Sequence, residues 1–171
     1  MKIYSEPSNY PSRLITVGRL PLATMIDTIL LAVGQEDEDR LEKLTETVRE
    51  VAAPAGATVV LAHVFDEEEY DTVVDRLEYG PMDAPTPNEV AARHATTREL
   101  AARLDDSDVS FEIRGAVGPR GDRIVDLAAA TDADLVVVGG RKRSPTGKAV
   151  FGSTAQNVML SSPCPVTFVR S

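Results

Sequence analysis

Short apolar runs alternate along this chain with stretches in which apolar residues recur every three or four positions. The runs Ile29–Val33, Thr58–Phe65, Leu135–Val138 and Val166–Val169 are bounded by polar or small residues and read as buried strands. Val109, Phe111 and Ile113 alternate with polar neighbours, as on an edge strand. Between the strands, a helix from about Asp37 to Ala53 places Leu41, Leu44, Val48 and Val51 on one face. Further helical periods cover about Glu89–Leu104, Gly121–Ala130 and Ser153–Ser161. Residues 66–88 are acidic, contain Pro81, Pro85 and Pro87, and read as a long connection with a short helix around Tyr70–Glu78. Parallel neighbours need a crossover, and a helix supplies it. The pattern therefore predicts an α/β fold: an open, doubly wound sheet of five parallel strands with helices on both faces. Ligands of such sheets bind outside the carboxyl ends of the strands, where strand order reverses.

Residues 1–24 break this rhythm with Pro7, Pro11 and Pro21 among Ser5, Ser8, Asn9 and Ser12, and read as a flexible leader. Residues 25–171 form the expected folded domain, with Met25 as an alternative start. Cys164 is the one cysteine, so no intramolecular disulfide forms. His63 and His94 have no clustered cysteines around them, which gives no zinc pattern and no expectation of a metal. His63 reads as a strand-end packing residue, His94 as exposed, and Glu67–Glu69 as a solvated run. No apolar run approaches the ~18 residues of a membrane span, and no secretion signal opens the chain, so a cytoplasmic protein is expected. A net charge of −9 disfavours nucleic acid and anionic membrane as partners.

The charge map adds a site. Every acidic residue lies at or before Asp134, whereas the remaining segment carries Arg141, Lys142, Arg143, Lys148 and Arg170. Those cations are interleaved with Gly139, Gly140, Gly147, Gly152, Ser153 and Thr154, directly after the run Leu135–Val138. Small residues after a buried strand let backbone amides approach an anion, and positive charge favours one there. The loop 139–154 is therefore a candidate anion site. A P-loop is excluded, because Lys142 stands at the first glycine position and Lys148 is followed by Ala149; GxGxxG is absent as well. The low lysine content, four against fourteen arginines, and the spread of acids fit either a high-salt protein or an ordinary acidic one.

Gly139-x-x-Lys142, then nine intervening residues and Gly152-Ser153-Thr154 at a helix start, resembles the nucleotide loop of the universal stress proteins, G-x2-G-x9-G-[ST]. The likeness extends over residues 26–171, through Thr28–Val33, Leu61–Val64 and the Pro163-Cys164-Pro165-Val166 approach to the last strand, and the segment from Val136 on looks like a haloarchaeal version. It implies strand order 3-2-1-4-5, an adenine-nucleotide-alpha-hydrolase-like fold, and binding of ATP or AMP with phosphates on loop amides. Carried over, Gly139 lies by the ribose, Gly152, Ser153 and Thr154 donate to phosphate, and Val64 touches adenine; Arg141 counts among the loop cations of this anion site, and Lys142 either pairs with phosphate or occupies its space. Two departures stand out. Lys142 replaces the second loop glycine, and Gly34 replaces the acid that ends the first strand and holds the nucleoside. The resemblance also implies a homodimer through Val166–Val169. Three functions follow: a stress-responsive, non-catalytic nucleotide or anion-binding homodimer; a non-nucleotide scaffold with an unknown protein partner, which Gly34 favours; and a slow ATPase, for which the sequence offers no catalytic constellation.

Overall fold

The computed structural model describes residues 26–76, 84–140 and 151–170. The leader, together with Arg141 and Lys142, lies outside the described residues. Five strands, β1 Thr28–Val33, β2 Thr58–Phe65, β3 Phe111–Val117, β4 Leu135–Gly140 and β5 Val166–Arg170, form one sheet in the order β3-β2-β1-β4-β5. Each neighbouring pair is parallel. This is the expected topology. The chain steps outward from β1 through β2 to β3, then returns to the other side of β1, so strand order reverses between β1 and β4.

Burial on both faces follows from the period of two. Ile29, Leu31, Val59 and Leu61 pack on one side with Leu44 and Val48 of α1 (Leu41–Ala55) and with Leu100 and Leu104 of α4 (Ala95–Asp105). Their strand neighbours Leu30, Val60, Val136 and Val138 face the other side, against Ile124 of α5 (Arg120–Ala130) and Val158 of α6 (Ser153–Ser161). Because both faces are covered, the strands read as nearly continuous apolar runs.

Four boundaries differ from expectation. The first helix is preceded by a 3₁₀ turn, Gln35–Arg40, because the Asp37 carboxylate turns back to accept the Gly34 N–H at 2.8 Å. The short helix of the acidic connection, α2 (Glu67–Arg76), starts earlier than Tyr70, since Asp66 accepts the Glu69 N–H at 2.8 Å. The long helix expected over Glu89–Leu104 is two helices: α3 (Pro87–Arg93) and α4, separated by His94 at φ −64°, ψ 135°. Thr86 and Glu89 form a capping box around Pro87 at the start of α3, which sets that start before Glu89. The third strand runs on to Val117 rather than ending at Ile113, through pairing of residues 114–117 with Ala62–Phe65. Among the described residues no helix is long and apolar enough to cross a membrane.

Candidate functional site

A cleft of about 420 Å³ opens at the reversal point. The carboxyl ends of β1, β2 and β4 floor it through Val33 and Gly34, His63 and Val64, and Gly139 and Gly140. One wall is the start of α6, where Gly152 is the N-cap and Ser153 and Thr154 begin the helix. Ser153 is therefore the first helical residue. No side chain caps this terminus among the described residues, and its first turn holds no acid. Its amides and the positive end of its dipole are left for an anion.

The opposite wall is charged. Asp37 and Arg40 of the 3₁₀ turn are both buried, and Arg40 Nη1 lies 3.2 Å from Asp37 Oδ1. The pair sits directly over Gly139, where an added Cβ would overlap Asp37 Oδ1 and come within 3.1 Å of the Arg40 side chain. Glycine is thus required there by close approach. Burial raises the Asp37 carboxyl above its ordinary value, with the Gly34 N–H and Arg40 opposing the shift. Arg40 Nε is buried without a hydrogen-bond partner among the described residues.

At the far end, Arg120 donates to Glu69 Oε2 at 2.9 Å and to Asp66 Oδ2 at 3.2 Å. Beside them, His63 is 1% exposed, and its ring centroid stands 4.0 Å from that of His94 and 4.4 Å from Phe65. Both Nδ1 atoms are buried without a partner among the described residues. A buried polar atom left unsatisfied typically costs about 1–3 kcal/mol.

The universal stress protein family model matches residues 25–170. The chain belongs to the universal stress protein family. A universal stress protein of Mycolicibacterium smegmatis is 40% identical over 80 residues, a match spanning 46% of this chain and 62% of that relative. A universal stress protein structure from Archaeoglobus fulgidus superposes with a TM-score of 0.62 at 28% identity, covering 83% of this chain and 97% of that one. Another from the same organism, in complex with dAMP, has a TM-score of 0.58 at 22% identity, covering 84% and 98%.

In this universal stress protein Gly34, Val64, Gly139, Gly152, Ser153 and Thr154 all line the one cleft. Reading the sequence missed Asp37, Arg40, Glu69 and Arg120. Asp37 is the consequential one: Gly34 lacks a carboxylate, yet a carboxylate three residues later returns to the Gly34 amide. The signal available was an acid at the third position of the turn after β1, which also fits an ordinary solvated helix start. His94, expected to be exposed, is partly buried against His63, because the break between α3 and α4 turns it inward.

The buried imidazole makes stability depend on pH. Burial first, then the neighbouring His94 and Arg120, push His63 down from its ordinary 6.5 to about 3. The unfolded chain takes up this proton near pH 6.5 and the folded protein only near 3. Stability is therefore complete above that window and is lost as pH falls through it, reaching about 2 kcal/mol near pH ~5. Urea denaturation in a chelating buffer should show this loss in the parent chain, with a flatter pH profile in His63→Gln. Equal profiles would mean that His63 is protonated in the folded protein.

Proposed function

We propose that this protein is a non-catalytic binding module that holds an adenine nucleotide, AMP or ATP, in the cleft at the β1/β4 reversal. The observation that carries this reading is the uncapped start of α6 facing the carboxyl ends of β1, β2 and β4. Phosphate would rest on the amides of Gly152–Thr154, with the ribose against Gly139 and the base toward Val64. Asp37 supplies the carboxylate that Gly34 lacks, from the turn rather than from the strand end. The family's solved relatives include proteins in complex with dAMP, with cAMP and with AMP, which supports an adenine ligand. Binding without turnover is favoured because Glu69 is held by Arg120, and Asp37, fixed by Gly34 and Arg40, is placed to accept a hydrogen bond from a nucleoside and not to activate a water.

The reading includes a cytoplasmic homodimer, paired through the exposed ladder of β5 at the sheet edge. Exposed Phe151 packs on Phe168 of that strand at 4.8 Å, leaving apolar surface for a second copy. The strongly acidic composition fits a protein that stays solvated at high salt.

Thermal denaturation with AMP, ATP or sulfate tests the ligand. A nucleotide held at a hundred times its Kd stabilises the folded state by about 2.7 kcal/mol. AMP or ATP should raise Tm and sulfate should not; a sulfate shift as large as the nucleotide shift would point to a bare anion site on a scaffold protein. Ser153→Asp places an acid on the exposed first turn of α6. It should lower AMP affinity at least about tenfold through repulsion of phosphate. Tm of the ligand-free protein should hold or rise slightly, since an acid there complements the helix dipole. Unchanged AMP affinity would move the phosphate away from α6.

A further inference from the structure

We propose that His63, Glu69 and His94 form a binding site for a divalent transition-metal ion of the zinc type. The three residues come from different elements: His63 from the end of β2, Glu69 from the first turn of α2, and His94 from the junction of α3 and α4. Each offers a ligand atom, and the three atoms lie within 4.8 Å of one another. Around a tetrahedral ion with bonds of about 2.0–2.1 Å, ligand atoms stand about 3.3 Å apart. Closing the remaining gap asks for side-chain rotation only. Glu69 can supply it, because its side chain is 22% exposed and α2 buries none of its residues fully.

Several features suit such an ion. Two imidazoles and one carboxylate select zinc and its neighbours over magnesium, which prefers an all-oxygen shell. Arg120 donates to Glu69 Oε2 at 2.9 Å, which orients the carboxylate. Asp66 shares that guanidinium and balances its charge. Such outer contacts orient ligands at known metal sites. Simple packing of two rings accounts less well for the cluster, since it leaves both Nδ1 atoms buried and unpartnered. His63 and Glu69 border the nucleotide cleft, whereas Glu69 and His94 border a second cavity of about 740 Å³. An ion between them is reachable from solvent and keeps an open coordination position, as three-ligand zinc sites do.

The proposal is independent of nucleotide binding, so its test uses the metal alone. The untagged full chain is titrated with Co²⁺ or Zn²⁺ in excess Mg²⁺, which occupies the acidic surface. We expect one equivalent bound per chain, visible absorption bands of low-coordinate Co²⁺, and a raised Tm with Zn²⁺. His94→Ala and Glu69→Gln should each weaken binding at least about tenfold, the lower end of what loss of even an outer contact does. Glu69→Gln is nearly isosteric and keeps the test open if His94→Ala fails to fold. No Co²⁺ bands and no Zn²⁺ shift in the parent chain, or parent affinity retained in Glu69→Gln, would overturn the proposal.

Discussion

Replacing Asp37 with alanine is expected to destabilise the protein by about 3–5 kcal/mol, the range for breaking a buried ion pair by removing one partner. Asp37 is 9% exposed and Arg40 7%, so the guanidinium left behind cannot recover its hydration. Arg40 already has Nε buried without a partner among the described residues, and the substitution removes the acceptor on Nη1 as well. The Gly34 N–H loses its acceptor in the same step. Burial dominates the raised pKa of Asp37 over both favourable contacts, so the pair as a whole adds little stability. The double variant Asp37→Ala/Arg40→Met removes both charges and should recover most of the loss. Urea denaturation near neutral pH measures both variants. A loss below about 1 kcal/mol for Asp37→Ala would place the pair in solvent. A double variant no better than the single one would show that the cost lies outside the pair. The functional counterpart separates the two: if Asp37 serves the nucleoside, the double variant folds well and still loses AMP affinity.

The second large effect is expected on β3, one strand over from His63 of the cleft. Gly115→Ala should cost about 3 kcal/mol, the upper part of the overpacking range. A Cβ at Gly115 would overlap the carbonyl of Pro87 and lie 2.9 Å from the Asn88 nitrogen. These are backbone atoms of α3, which no rotamer change can move aside. The Gly115 N–H also donates to Asn88 Oδ1 at 2.7 Å, so pushing α3 outward breaks that bond. Gly152→Ala is the control, since nothing lies within 4 Å of its added Cβ and its φ is −64°. Its midpoint in thermal or urea denaturation should stay near that of the parent chain. Equal midpoints for Gly115→Ala and the parent would mean that α3 does not rest on β3 as described.

The residues that were legible share a physical character. β1 and β2 were read almost to the residue because their burial repeats at every position and no polar residue interrupts them before His63. α6 was read in full, Ser153 to Ser161, because glycine stands at its start and proline follows its end. The α3–α4 break was missed because no proline or glycine marks it. His94 leaves the helix through its backbone dihedrals alone.

The chain's own pattern therefore determined the strand and helix alternation, the sheet it implies, and the glycine and hydroxyl residues that meet in the cleft. Those features depend on local period and on residue size, both of which can be read from consecutive positions. Tertiary structure alone decided the rest. It brought Asp37 and Arg40 over Gly139, and it brought the backbone of α3 against Gly115. It also gathered His63, Glu69 and His94 within reach of one ion. Each of these contacts joins segments that meet only when the sheet is wound and its helices settle on it. Charge and burial at such points are properties of the meeting and not of either segment.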